Sequence, residues 1–151
     1  MKTKIIAIMS LFATIGGKES PLPRTSLTPT AQVTWELISE TTTATVYNAV
    51  PSQCNSDCLH TASMYTIVPE KIESDRILAM ERTMMAEFSI SYGDTVLVTG
   101  AGRYDGLWQV QDTMNKRFAG QHKIDFLVPR YIRHGKWKNV KVYAKRIQYE
   151  Q

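Results

Sequence analysis

The chain is punctuated too often to build long elements. Short runs of β-branched, aromatic and aliphatic residues are cut, within a few positions, by Gly, Pro, Asn or Asp. Thr41–Thr45 followed by Val46-Tyr47-Asn48, then Thr95–Val98, Trp108–Gln111, Ile124–Val128 and Val140–Ala144, all carry strand content. Several alternate apolar and polar side chains, which places every second residue on one face. Strands this short and this closely spaced predict an all-β fold with short helical turns, closed into a small β-barrel.

The segments between them read mainly as turns. Tyr92-Gly93-Asp94 and Ala101–Asp105 are turn signals, and Lys71–Asp75 is a charged turn. Gly100-Ala101-Gly102 invites a phosphate-loop reading but lacks a third glycine and a following helix, so it is rejected. Arg76–Met80 is a short apolar segment ending at Glu81, with Met84 and Met85 continuing it as core. Pro129–Gly135 has Pro at its start and Gly at its end, which predicts one or two helical turns. Pro51–Ser63 is a polar loop, of the kind that carries function when a rigid scaffold positions it.

A length of 151 residues, 43% hydrophobic and 21% charged, suits one soluble domain. Its expected parts are a signal segment over 1–17, a Pro/Ser/Thr-rich linker or arm over 18–40, and the barrel over 41–151. Val33–Ile38, at the end of that arm, reads either as a first strand or as extended chain. Lys2 and Lys4 precede the run Ile5–Ile15, which is too short to span a bilayer, so the expectation is export with no transmembrane anchor. A buried N-terminal strand is the other reading of that run. Charge is uneven: residues 1–100 carry a net −3 and residues 101–151 a net +7. A basic half suits an anionic partner or is simply a solvated surface. Cys54 and Cys58 can close a small disulfide loop, remain free thiols or, with Asp57 and His60, hold a metal; the preference runs in that order. No metal or other cofactor is expected.

The stretch Trp108–Val128 holds the candidate chemistry. Asp112 ends its first strand, and Asp125 lies inside the second between Ile124 and Phe126. If those strands are neighbours, both acids face one cleft. Burial and a second carboxylate each disfavour ionisation, which suits a general acid at neutral pH. The plainer alternative is that Asp125 points at water and Asp112 closes a turn on its own backbone.

Six pieces, taken in order, resemble the three-aspartate (3D) domain, a six-stranded double-psi β-barrel shared with membrane-bound lytic transglycosylase A. They are ATVYN (Ala44–Asn48), TAS (Thr61–Ser63), RILAMER (Arg76–Arg82), YGDTVLVTG (Tyr92–Gly100), VQDTMNKRFAGQHKIDFLVP (Val110–Pro129) and HGKWKNVKVYAKR (His134–Arg146), and from first to last they span about two-thirds of the chain. The resemblance implies that Asp112 and Asp125 are the second and third aspartates, with Asp125 the general acid/base. Glu81 stands where the first would be, and Met64 where the family usually has Gly. The implied activity is that of a secreted lytic transglycosylase, a lyase cutting peptidoglycan glycan strands to leave 1,6-anhydro ends. The alternative is a non-catalytic glycan-binding or structural module, for instance in a phage virion. A two-acid hydrolase using Asp112 and Asp125 is a weaker third. Thr61 and Ser63 would bond the sugar or Asp125, and Lys123 and His122 would contact peptide carboxylates or support Asp125. Tyr47 or Trp108 would stack on a sugar ring, unless they belong to the core. No nucleic-acid partner is expected.

Overall fold

The computed structural model describes residues 30–149 apart from Asn55. The signal segment expected over 1–17, and the linker as far as Pro29, lie outside the described residues. The elements are β1 (Ala31–Tyr47), the single turn α1 (Ile72–Asp75), β2 (Ile77–Met80), α2 (Arg82–Glu87), β3 (Thr95–Thr99), β4 (Gly106–Thr113), β5 (Lys123–Leu127) and β6 (Lys136–Tyr149). The strands close into a six-stranded barrel in the order β1-β5-β2-β4-β3-β6. Pairing is mixed: β1/β5 and β2/β4 are parallel, the other four pairs antiparallel. The predicted all-β class and six-stranded closed barrel are therefore found.

Inward-facing residues fill the lumen, including Ala44, Leu78, Met80, Val96, Val98, Val110, Ile124, Phe126, Val140 and Val142. Aromatic rings complete one end, where Tyr104 stacks on Phe126 at 5.2 Å and Trp108 packs on it at 4.5 Å. Trp108 is 4% exposed, so it belongs to the core and not to a sugar-stacking surface. Met84 is fully buried and Met85 packs against the same cluster, as expected.

Three boundaries differ from expectation. The linker or arm predicted to reach residue 40 becomes β-strand at Ala31, because β1 pairs with β6 from Ala31↔Tyr149 onward. The last strand, expected over Val140–Ala144, runs from Lys136 to Tyr149 for the same reason. Cross-strand partners make strand of a Lys-rich flank whose own propensity is weak. Pro129–Gly135 is not helical. Its chain turns once, with Ile132 N–H donating to Pro129 O at 2.9 Å. Asn48 Nδ2 lies 3.0 Å from the carbonyls of Val128, Pro129 and Ile132, so a buried side chain holds oxygens that a helix would need. Gly135 fits under the Trp137 ring, where a Cβ would sit 2.6 Å from a ring carbon.

The described residues of the segment 48–76 do not join the wall. They lie over its outside and build a second apolar cluster, in which Ile67 and Ile72 from the loop meet Ile77 and Leu127 from the strands, with Tyr47 and Tyr65 alongside. The expected disulfide is formed between Cys54 and Cys58 within this segment.

Candidate active site

Asp112 and Asp125 reach one face by a route the alternation does not show. Their strands, β4 and β5, are not neighbours, because β2 lies between them. Ala79 of β2 pairs with Asp112 on one side and with Asp125 on the other. Directly paired residues share a face, so both acids point outward across the small methyl of Ala79. Thr45 of β1 pairs with Asp125 and extends the row, and Lys136 of β6 pairs with Thr45.

A register shift in β4 makes this possible. Leu78 pairs with Val110, but Ala79 pairs with Asp112, so Gln111 is skipped. In unbroken alternation from the buried Val110, Gln111 would point outward and Asp112 into the lumen. The extra residue turns the acid out. Gln111 is used otherwise, its Oε1 accepting from Ser63 Oγ at 2.6 Å.

Asp125 is half-buried, and its carboxyl is pushed above the ordinary carboxylate range. Desolvation is the main cause and the charge of Asp112 adds to it, while the Thr45 hydrogen bond and the charge of Lys123 pull the other way. Thr45 Oγ1 donates to Asp125 Oδ1. Asp112 is more fully held. Its Oδ1 accepts from Ala62 N–H at 2.9 Å and Thr113 N–H at 2.8 Å, and its Oδ2 accepts from Tyr47 O–H at 3.1 Å. The Tyr47 hydroxyl is pushed well above its usual range, by burial first and then by Asp112, so it stays protonated and keeps donating. Asp112 thus ties the 61–65 loop to the barrel wall beside Asp125.

Glu81, set by the resemblance at the place of the first aspartate, has its carboxyl engaged in a helix cap. It is 1% exposed and caps α2, with Oε1 accepting from Thr83 N–H at 2.5 Å and Oε2 from Met84 N–H at 3.1 Å. Desolvation opposes its charge, but these backbone N–H groups outweigh it and hold its carboxyl below the usual range. An ionised cap is the ordinary use of an acid before a helix.

Thr61 and Ser63 bond each other at 3.0 Å, and Thr61 Oγ1 and Ser63 Oγ both accept from Tyr65 N–H. They shape the loop and do not touch Asp125. Lys123 lies on the Asp125 face of β5 with its ammonium 4.2 Å from the centre of the Phe118 ring. Its neighbour His122 faces elsewhere, with Nδ1 3.4 Å from Ser39 Oγ and Nε2 3.4 Å from Glu87 Oε2. Met64 is 72% exposed and adopts φ 67°, left-handed backbone that glycine accepts without strain. Among the described residues, no three His, Cys, Asp or Glu side chains gather to hold a metal, and no helix is long and apolar enough to cross a membrane.

Sequence reasoning passed over Thr45 and Lys136. Thr45 sits in a run of threonines, and only the parallel β1/β5 register selects it as the donor to Asp125. The chain matches no protein-family model and no curated protein.

Proposed function

We propose that the chain is a 3D-like peptidoglycan lytic enzyme, exported, with Asp125 as its one acid/base. The observation that carries this reading is a half-buried, outward-facing carboxyl whose pKa is raised, held at one oxygen by Thr45. The protonated Asp125 gives its proton to the glycosidic oxygen as the bond to the anomeric carbon breaks. The sugar's 6-hydroxyl oxygen then bonds that carbon, and its proton returns to Asp125. No water is consumed and the acid is regenerated, so a single carboxyl is enough, unlike the paired acids of hydrolases. Lys123 moderates the rise in pKa, so Asp125 accepts a proton as well as giving one.

Asp112 positions the loop and is no second catalytic acid, because both of its oxygens already accept hydrogen bonds. This disfavours a two-acid hydrolase. The Cys54–Cys58 bridge supports an oxidising compartment. A glycan-binding module on the same barrel is the second reading, and one observation favours it. Glu81, Asp112, Thr61 and Ser63 are all engaged in internal bonds, which leaves few groups for a substrate. Mass spectrometry of purified peptidoglycan incubated with the protein separates the readings. Anhydro ends support lytic cleavage, reducing ends a hydrolase, and bound but uncut glycan the module.

A further inference from the structure

The side of the barrel away from residues 48–76 has an apolar exterior. Leu107 of β4 pairs with Leu97 of β3, Leu97 with Tyr143 of β6, and Tyr143 with Leu37 of β1, so one outward row crosses four strands. The row continues along the ribbon where β1 and β6 extend together, through Trp35 beside Lys145 and Val33 beside Ile147. Val33 is 48% exposed, Trp35 37%, Leu37 45%, Leu107 51% and Ile147 53%. The other face of the same ribbon is polar, with Gln32, Thr34, Glu36 and Gln148, and there Arg146 Nε donates to Glu36 at 2.6 Å. The ribbon therefore turns its apolar side outward, the reverse of what a solvated strand pair does.

We infer that this wall is where a second copy of the chain docks, face to face about a two-fold axis. The exposed part of these side chains is on the order of 500 Å² per copy, near the roughly 300–600 Å² of the largest apolar patch on a typical monomer. Burying it on both copies reaches the ~1,000 Å² that distinguishes a specific interface from an incidental contact. The composition suits such a core, since aromatic and aliphatic residues dominate, with Lys145 among them and Lys141, paired with Thr99, at the rim. The candidate active site lies on the opposite wall and stays open. This inference does not rest on the glycan reading.

Sedimentation equilibrium of the full chain from 1 to 200 µM tests it, together with hydrogen exchange at both ends of that range. A monomer–dimer equilibrium is expected, with residues 33–37 and 143–147 more protected at the higher concentration. Trp35→Glu and Ile147→Glu, on different strands and both outward-facing, should each weaken the dimer at least tenfold with unchanged circular dichroism. If one variant misfolds, the other still decides. A monomer at every concentration, or a dimer indifferent to whichever variants fold, overturns the inference. So does concentration-independent protection of those strands, which would assign the cover to residues 1–29. A monomer that binds phosphatidylglycerol vesicles through Trp35 and Ile147 likewise overturns it, in favour of a lipid surface.

Discussion

The exterior of β5, β2 and β4 carries Leu127, Ala79, Asp112 and Asp125, and residues 48–76 lie against it. The exterior of β3, β6 and the first part of β1 carries Leu97, Tyr143 and Leu37, and along it Val33, Leu37 and Ile147 stay about half exposed. Both walls are built from alternating strands whose inner faces share one core. The loop makes the difference. It packs Ile67 and Ile72 against Ile77 and Leu127, Leu127 lies two residues from Asp125 on β5, and burial is the main cause of that carboxyl's raised pKa. An acid on the bare wall would have water beside it and no reason to hold a proton. The covered wall holds a carboxyl whose pKa is raised mainly by burial, and the other wall exposes apolar side chains.

The contrast is broken most directly at Asp125. Asp125→Asn should reduce release of anhydro products by at least ~100-fold, the usual scale of a general acid, while circular dichroism stays unchanged. The same variant should be more stable than the parent at neutral pH. A raised carboxyl pKa means that the folded state favours the protonated form. Its stabilising contribution is complete below the unfolded pKa and is lost as pH rises through the folded one. The advantage of Asn should therefore vanish in acid. Thermal melts at several pH values check this, and an Asn variant less stable at neutral pH would show that the carboxylate is welcome where it sits.

Glu81 comes next in size. Glu81→Ala removes the cap of α2 and leaves two N–H groups without their acceptor, at a cost of about 2 kcal/mol by urea titration. Glu81→Asp should stay within ~0.5 kcal/mol of the parent, since Asp is a favoured cap, and should keep its activity. A loss of activity with Asp but not of stability would return Glu81 to the chemistry. Tyr47→Phe cuts the tie between the wall and Asp112, and should lower stability by about 1 kcal/mol in the same titration.

The smallest effects compare the covering loop with the bare wall. Met64→Gly relieves a left-handed backbone and should stabilise by roughly 0.5–1 kcal/mol, with Met64→Ala giving no such gain. Val33→Thr, on the bare wall, should change monomer stability by less than ~0.5 kcal/mol, because its side chain is half exposed already. A larger loss at Val33 in dilute protein would mean that something covers that wall in the monomer.

Much of the barrel was legible in the residues. Thr95–Val98, Ile124–Val128 and Thr41–Tyr47 declare themselves by alternation and β-branching, and each is strand in the fold. The outer parts of β1 and β6 were less legible because each is strand through its pairing with the other. The outward position of Asp125 could be read from an acid set between Ile124 and Phe126, both of which face the lumen. The roles of Glu81, Thr61 and Ser63 could not, because a carboxylate or hydroxyl written in one dimension does not show which N–H group it will meet.

By itself, the sequence determined that alternate residues within a strand take opposite faces, since a period of two is a property of the extended backbone and needs no partner. Tertiary structure decided what shares a face. β2 came between β4 and β5, one skipped residue at Gln111 turned Asp112 outward, and the 48–76 loop settled on one wall and not the other. Those outcomes depend on pairings between distant segments, and a single step in register exchanges the two faces of a strand.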